Sequence, residues 1–264
     1  MDNHLPRMRG NGSTPHEKEA RSGPRFFCAG DLSQGATRDL PESAVHHAAR
    51  VLRLTVGDSV TVFNGAGGES DARILSIGKD RVSVRVGPWH SREAEPSVRV
   101  VLLQGLSARE RMDFTVQKAV ELGVAEIFPV EMRRSVMRLA EERAARRIEH
   151  WQNLAIAACE QCGRNRVPEV HPVSALPDWL GAHPIVPGEK RVVLSTLAAA
   201  RLRDLSAPQQ LLLLAGPEGG LAPEELEMAQ ACGFTPVRLG PRVLRTETAA
   251  LAALAAVHAL WGDL

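Results

Sequence analysis

The second part of the chain alternates between short apolar runs and helical patterns, and this alternation restricts the possible fold more than any other feature. Continuous apolar runs are typical of strands buried on both faces, and strands that alternate with helices are typical of a parallel sheet between two helical layers. The strand-like runs cover residues 98–103, 126–130, 191–195, 211–215 and 237–239, and the main helical patterns cover 109–122, 140–162 and 246–260. We therefore predict an α/β domain over residues 97–264, with ligands at the carboxyl ends of its strands.

A different pattern precedes this domain. Residues 59–63, 69–77 and 81–86 alternate between apolar and polar side chains and are separated by glycine-containing turns. Short strands at this spacing are typical of a small β-barrel, which we predict for residues 24–96, with a helical segment at 41–54 and a linker from residue 87. Residues 1–23 carry almost no apolar pattern, so we expect a disordered extension there.

Charge and cysteine content exclude several classes of protein. The net charge is +1, from 32 basic and 31 acidic residues, so any contact with RNA must be made through a local patch. Cys159 and Cys162 form one C-x-x-C within a helical pattern, without the second ligand pair that a zinc site needs, and we expect no bound metal. No apolar run reaches the ~20 residues of a membrane span and no secretory signal is recognisable, which favours a cytoplasmic protein.

The apolar run at 211–215 ends in the loop sequence Gly-Pro-Glu-Gly-Gly, which places Glu218 among residues suited to a tight turn. This loop matches neither the phosphate-binding loop of nucleotide hydrolases nor the dinucleotide-binding fingerprint. A turn into a helix that begins at Pro223 accounts for the glycines, because glycine adopts backbone angles that other residues avoid. A turn does not account for the carboxylate of Glu218.

A second loop, Leu-Gly-Pro-Arg-Val-Leu-Arg at residues 239–245, also follows an apolar run and precedes a helix. Thr246 can cap that helix, and Glu247 then lies favourably in its first turn, so a structural role and a chemical role both stay open for Glu247. Arg245 is a cation at a helix N-terminus, where the helix dipole disfavours it, and it is therefore predicted to face an anion. The helix at 246–260 is rich in alanine and leucine on nearly all sides, which predicts a homodimer interface.

These two loops resemble the ribosomal small-subunit methyltransferase E family, whose members methylate N3 of a uridine in 16S-type rRNA. The similarity extends to Gln-Lys-Ala-Val-Glu-Leu-Gly at 117–123, Arg-Ser-Val at 134–136, Glu-Gln-Cys-Gly-Arg at 160–164 and several N-terminal positions, and it covers residues 24–264. The resemblance implies a SPOUT-type domain whose parallel sheet contains a trefoil knot, a PUA-like N-terminal barrel that binds RNA, and an obligatory homodimer. It also implies S-adenosylmethionine as the cofactor and 16S rRNA of the small ribosomal subunit as the substrate.

Most residues that could hold this cofactor have either an apolar side chain or, as glycine, no side chain, and they cluster at the ends of three apolar runs. They are Leu194, Leu214, Ala215, Gly216, Gly219, Gly220, Leu239, Gly240, Leu244, Thr246 and Ala249. Uracil N3 carries a proton, so methylation requires a proton acceptor, for which Glu218, Glu247 and bulk water are all candidates. Arg245 is predicted to stabilise the developing charge. The predicted RNA-binding residues are basic and are Arg25, His46, Arg50, Arg53, Lys118, Arg134 and Arg164, with Arg138 as a further candidate.

Two other functions stay open. The same fold could methylate a ribose 2′-hydroxyl or a guanine nitrogen in RNA. The chain could also be a ribosome-assembly factor that binds RNA without catalysis, although a disused pocket would have no need for glycine-rich loops. Such a factor would not be stabilised by S-adenosylmethionine, since only a ligand that binds the native state raises the melting temperature.

Overall fold

A computed structural model describes residues 23–138 and 140–264 of the chain. The predicted extension at residues 1–23 lies, apart from Gly23, outside the described residues. The first part of the described chain forms a five-stranded sheet with the order β1-β3-β4-β5-β2. Its strands are β1 (Arg25–Phe27), β2 (Thr37–Asp39), β3 (Ser59–Phe63), β4 (Glu69–Ile77) and β5 (Val82–His90).

The helical segment of this first domain is shorter than predicted. Helix α1 (Glu42–His46) continues into a π-helical turn (His47–Val51) and stops before residue 54. The chain leaves the helical conformation at Arg53, whose φ of 54° is left-handed, and Leu54 then donates its backbone hydrogen bond to the carbonyl of Ala48. Alternation still directs Phe26, Val60 and Ile74 into the core, while His46, Arg50 and Arg53 stay exposed.

The prediction of a linker from residue 87 is wrong, because β5 continues through Gly87 and Pro88 to His90. Proline has no backbone N–H and interrupts regular strand pairing. The sheet accommodates it through a register shift between the pairs Ser70–Trp89 and Ala72–Val86, as expected for a β-bulge.

The second part of the chain is an α/β domain, as predicted. Its seven-stranded sheet has the order β12-β10-β11-β6-β7-β8, with β9 also pairing with β7, and the neighbouring strands run parallel. The strands are β6 (Arg99–Gly105), β7 (Val124–Glu131), β8 (Glu169–Val170), β9 (Ser174–Ala175), β10 (Glu189–Leu194), β11 (Gln210–Ala215) and β12 (Phe234–Val237). The helices are α2 (Arg109–Glu121), α3 (Glu141–Cys162), α4 (Leu176–Ala182), α5 (Pro223–Ala231) and α6 (Thr246–Trp261), with a 3-10 turn at Leu202–Asp204.

Both faces of this sheet are buried, which explains the continuous apolar runs. On one face, Leu102, Leu211 and Leu213 pack in a core that includes residues of α2, α3 and α6. On the other face, Leu103 and Leu214 pack with residues of α4 and α5. Within the described part of the chain, no helix is both long and apolar enough to cross a membrane.

The two domains are joined by polar contacts as well as by packing. Arg25 of β1 pairs with Glu69 of β4 and donates a 2.6 Å hydrogen bond to Oδ1 of Asn165, which follows α3. The backbone N–H of Phe27 donates to Oε1 of Glu160 on α3 at 2.9 Å. Burial raises the pKa of Glu160, and the hydrogen bond from Phe27 opposes this rise.

Substituting Glu160→Gln is expected to increase stability at neutral and alkaline pH but not near pH 4. The pKa of Glu160 is higher in the folded protein than its ordinary value of 4.5, so the ionised carboxylate increasingly destabilises the fold as pH rises above that value. Glutamine keeps an acceptor for the N–H of Phe27 and carries no charge. Melting temperatures of both proteins between pH 4 and pH 8 check this prediction, and a variant less stable than wild type at pH 8 would contradict it.

Candidate functional site

An open cavity of about 590 Å³ lies beyond the carboxyl ends of β10, β11 and β12. These three strands are neighbours in the sheet, so the loops that follow them meet at one edge. The loops are residues 195–196 after β10, 216–222 after β11 and 238–245 after β12. Together with Arg111 of α2 and the start of α6, they supply nearly the whole lining of the cavity.

The loop after β11 is held close to the end of β6. A Cβ atom placed on Gly105 would lie 2.5 Å from the backbone nitrogen of Pro217, so only glycine permits this approach. Glu225, in the first turn of α5, accepts hydrogen bonds from the backbone N–H groups of Ala222 at 2.8 Å and Arg133 at 2.7 Å. The loop is therefore anchored at both of its ends.

The loop after β12 is tied to the first loop by Thr246. The helix α6 begins at Thr246, and Arg245 occupies the capping position, so the prediction of Thr246 as the cap is wrong. The hydroxyl of Thr246 donates to the carbonyl oxygen of Gly216 at 2.6 Å and accepts from the side-chain amide of Gln104 at 3.0 Å. Sequence reasoning missed Gln104, although a glutamine that ends an apolar run is a detectable signal.

Bare backbone and apolar side chains face this cavity. Gly240 has a φ of 131°, and a Cβ atom on Gly240 or on Gly220 would meet nothing within 4 Å. The apolar lining residues are Leu194, Ala215, Leu221, Val237, Leu239, Val243, Leu244 and Ala249. An apolar slot with exposed main-chain groups fits the adenosyl part of S-adenosylmethionine, and the volume lies within the usual range for ligand pockets, about 300–1,000 Å³.

Glu218 extends from the first loop towards α2. Its Oε1 accepts a hydrogen bond from the backbone N–H of Ala108 at 2.7 Å and lies 3.2 Å from Nη1 of Arg111. Its Oε2 is buried and has no hydrogen-bond partner among the described residues. A buried acceptor without a partner is unfavourable, and Oε2 of Glu247 also lacks a hydrogen-bond partner among the described residues, so it is the cavity lining that distinguishes the two carboxylates.

Glu247 also lies close to Arg111. The Nε of Arg111 is 3.9 Å from Oε2 of Glu247, so one guanidinium connects both candidate carboxylates. Glu218 lines the cavity, whereas Glu247 is not among its lining residues. Sequence reasoning missed Arg111, but a cation in the first turn of α2 is disfavoured by the helix dipole and could have drawn attention to it.

Most predicted cofactor-binding residues meet at this cavity. Those in its lining are Leu194, Ala215, Gly216, Gly219, Gly220, Leu239, Gly240, Leu244, Thr246 and Ala249, together with Glu218 and Arg245. Leu214 does not face the cavity, because it is fully buried beside Leu103 and Val193 on the opposite face of the sheet.

The predicted RNA-binding residues separate into exposed and buried groups. His46, Arg50 and Arg53 are exposed on the first domain. Arg134 is exposed beside the cavity, and its Nη1 donates to the carbonyl oxygens of Gly219 at 3.1 Å and Leu221 at 3.3 Å. These four positions leave basic groups available to an anionic partner.

The other predicted RNA contacts have partners within the protein. Arg164 is 3% exposed, pairs with Glu95 at 2.5 Å and donates to the carbonyl oxygens of Val120 and Val124, so it does not fit the predicted RNA contact. Arg25 likewise pairs with Glu69 and donates to Asn165 at the contact between the domains. Lys118 is half-buried and pairs with Glu121 at 2.7 Å.

Comparisons with known proteins agree with this geometry. A family model described as an RNA methyltransferase domain matches residues 94–258, and a model described as an RNA methyltransferase PUA domain matches residues 40–87. Ribosomal RNA small subunit methyltransferase E of Bacillus subtilis is 32% identical over 86% of this chain and 91% of that protein. The Buchnera aphidicola protein of the same name, from strain Sg, is also 32% identical, over 91% of this chain and 98% of its own.

Two solved structures are similar over nearly their whole length. Ribosomal RNA small subunit methyltransferase E from Neisseria gonorrhoeae, bound to S-adenosyl methionine, is 40% identical with a TM-score of 0.84, over 92% of this chain and 99% of that one. A Legionella pneumophila protein in complex with the bound cofactor SAM is 36% identical with a TM-score of 0.87 over the same shares. These matches include the residues of the cavity and show that the chain belongs to the ribosomal RNA small subunit methyltransferase E family, with an N-terminal PUA domain and an RNA methyltransferase domain.

Proposed function

We propose that this protein transfers a methyl group from S-adenosylmethionine to N3 of a uridine in 16S rRNA. The observation that carries the proposal is the cavity at the strand ends, where two Gly-Pro loops leave bare backbone beside the unpartnered carboxylate oxygen of Glu218. Relatives named for methylation of small-subunit rRNA, and a relative solved with S-adenosyl methionine, support the same substrate and cofactor.

The cofactor-binding residues are those that line the cavity. Leu194, Leu239 and Ala249 would enclose the adenosyl group, and the backbone of Gly216 and Gly240 would approach it closely. When bound, S-adenosylmethionine supplies a methyl group on a positively charged sulfur, while the protein supplies position and electrostatics.

Glu218 is the proton acceptor in this proposal. Its Oε2 is buried, lacks a partner in the described chain and belongs to a side chain that lines the cavity. The uracil N3–H would donate to this oxygen and pass its proton to it, which makes N3 nucleophilic. Arg245 also lines the cavity and would stabilise the negative charge that spreads onto the uracil oxygens.

Arg111 positions Glu218 rather than touching the substrate. Substituting Arg111→Ala is expected to slow methyl transfer about 10- to 100-fold, because loss of the 3.2 Å ion pair lets the carboxylate of Glu218 move, and a misplacement of about 1 Å can cost about 10²-fold in rate. Arg111→Lys keeps the charge and is expected to recover most of the rate. The exposed Arg109, two residues earlier, provides the control variant Arg109→Ala. Single-turnover rates check this prediction, and equal losses in the alanine and lysine variants would contradict it.

A homodimer is part of this proposal. One face of α6 is buried through Ala253, Leu254 and Val257, whereas Ala255, Ala259 and Leu260 on its other sides are half-buried or exposed. Small side chains allow a second helix to pack closely, so a second copy of the chain would cover this surface. Sedimentation equilibrium should therefore give the mass of a dimer, and a monomer at micromolar concentration would contradict the proposal.

The remaining parts of the proposal concern architecture and place of action. The domains span residues 24–96 and 97–264, the first closing into a PUA-type barrel and the second containing a trefoil knot at the loops around the cavity. The exposed His46, Arg50, Arg53 and Arg134 would contact RNA. The proposed substrate places the reaction in the cytoplasm.

Methylation of small-subunit RNA tests the function directly. The purified protein is incubated with labelled S-adenosylmethionine and small subunits from a strain that lacks this modification, and the RNA is digested to nucleosides for mass spectrometry. We expect 3-methyluridine. A methyl group on a ribose or on guanine would favour another RNA methyl transfer, and RNA binding without methylation or cofactor binding would favour an assembly factor.

A further inference from the structure

Four arginines line the cavity, and they differ in what surrounds them. They are Arg111, Arg238, Arg242 and Arg245. Arg111 is paired with carboxylates, whereas Arg242 and Arg245 are exposed. Arg238 is half-buried, and its Nε is buried without a hydrogen-bond partner in the described part of the chain.

The position of Arg238 is fixed by its backbone. It directly follows β12, its backbone N–H donates to the carbonyl oxygen of Ala200 at 3.0 Å, and it forms an isolated bridge with Arg201. Val237 and Leu239, the residues on either side of it, also line the cavity. The guanidinium therefore originates from an ordered strand end beside the apolar slot.

No carboxylate neutralises this guanidinium within the described residues. Glu218 is the acidic residue in the cavity lining, and its Oε1 is already held by Ala108 and Arg111. The terminal nitrogens of Arg238 also have no hydrogen-bond or ion-pair partner among the described residues, so the guanidinium can bind an acceptor that a ligand brings to this cavity. The charge and fork shape of a guanidinium select a carboxylate or a phosphate.

We propose that Arg238 binds the α-carboxylate of the methionyl group of S-adenosylmethionine. This inference rests on the proposed function and names the residue that recognises the amino-acid end of the cofactor. The carboxylate is the negative group of this ligand. An RNA phosphate is the other source of an anion, but the exposed Arg242 and Arg245 are more accessible to a polynucleotide than the half-buried Arg238.

The test compares two ligands that differ at the amino-acid end. S-adenosylhomocysteine carries the carboxylate, whereas 5′-methylthioadenosine keeps the adenosine and the sulfur but lacks it. Their dissociation constants are measured calorimetrically for the full chain and for the variants Arg238→Gln and Arg238→Lys. Arg203→Gln is the matched control, because Arg203 is exposed on the 3-10 turn and is absent from the cavity lining.

Arg238→Gln is expected to weaken the binding of S-adenosylhomocysteine about 10- to 100-fold and to leave the affinity for 5′-methylthioadenosine nearly unchanged. Arg238→Lys should give an intermediate loss, because lysine keeps the charge without the fork. Equal weakening of both ligands would overturn the inference by showing that Arg238 only shapes the pocket.

Unchanged binding of both ligands would also overturn it, and weaker RNA binding in the same variant would assign Arg238 to a phosphate instead. If the wild-type protein binds neither ligand, the proposed function itself fails, which distinguishes that outcome from failure of the carboxylate contact alone.

Discussion

Substituting Glu218→Gln is expected to reduce the rate of methyl transfer by about 10²- to 10⁴-fold, the range that general base catalysis contributes. Glutamine has nearly the same shape and can still accept the hydrogen bond from the N–H of Ala108. Its amide cannot take up a proton, and it presents either an oxygen of low basicity or an N–H donor to the uracil N3–H. The loss should therefore appear in the chemical step, while the affinity for S-adenosylhomocysteine stays close to that of wild type.

Single-turnover methylation at saturating cofactor measures this effect. Glu224→Gln is the matched control, because Glu224 is the next carboxylate in the chain, 64% exposed in its side chain and paired with the exposed Arg133. Glu247→Gln separates the two candidate acceptors, since Glu247 lies outside the cavity lining. A wild-type rate in Glu218→Gln would contradict the assignment of Glu218 as the proton acceptor. A larger loss of rate in Glu247→Gln would assign that role to Glu247.

Substituting Gly105→Ala is expected to weaken the binding of S-adenosylhomocysteine by more than about 10-fold and to lower the free energy of unfolding by about 1–3 kcal/mol. The added Cβ would lie 2.5 Å from the nitrogen and 2.6 Å from Cδ of Pro217, and 2.9 Å from the carbonyl carbon of Gly216. Two of these three atoms belong to the backbone and the third to a proline ring, so the whole loop must shift. A shifted loop moves both the bare backbone and Glu218 away from the cavity.

Calorimetric titration with S-adenosylhomocysteine and chemical denaturation together check the effect of Gly105→Ala. Gly181→Ala is the control, because Gly181 is exposed on α4 and an added Cβ there would meet nothing within 4 Å. That control should be slightly stabilised, as alanine is favoured over glycine in helices by about 0.5–1 kcal/mol. Unchanged cofactor binding in Gly105→Ala would show that the loop tolerates displacement.

Local patterns were sufficient to predict the elements and the region of the site. The run at 211–215 corresponds to β11 (Gln210–Ala215), and the pattern at 140–162 corresponds to α3 (Glu141–Cys162). The residues that line the cavity could be located because most of them lie in short loops that follow parallel strands, where ligands bind. Chain periodicity and loop composition are local properties, so no knowledge of distant contacts was needed.

The wrong predictions concern residues whose surroundings are formed by parts of the chain that are distant in sequence. Arg164 was predicted to bind RNA, but it is buried against Glu95 and two carbonyl oxygens. Leu214 was predicted to face the cofactor, but a sheet buried on both faces gives apolar residues on each side, and the sequence does not indicate which side faces the site. Pro88 was assigned to a linker, but it lies in β5. The β-bulge that accommodates this proline depends on pairing with β4, which is distant in the sequence.

The sequence by itself determined the parallel α/β architecture, the two glycine-containing loops and, through its motifs, the family. Only the tertiary structure placed Glu218 rather than Glu247 in the cavity lining, brought both close to Arg111, and left the guanidinium of Arg238 without a partner among the described residues. The physical reason is that backbone conformation and burial follow from neighbouring residues, whereas the role of a charged side chain depends on which groups the fold brings within hydrogen-bonding distance of it.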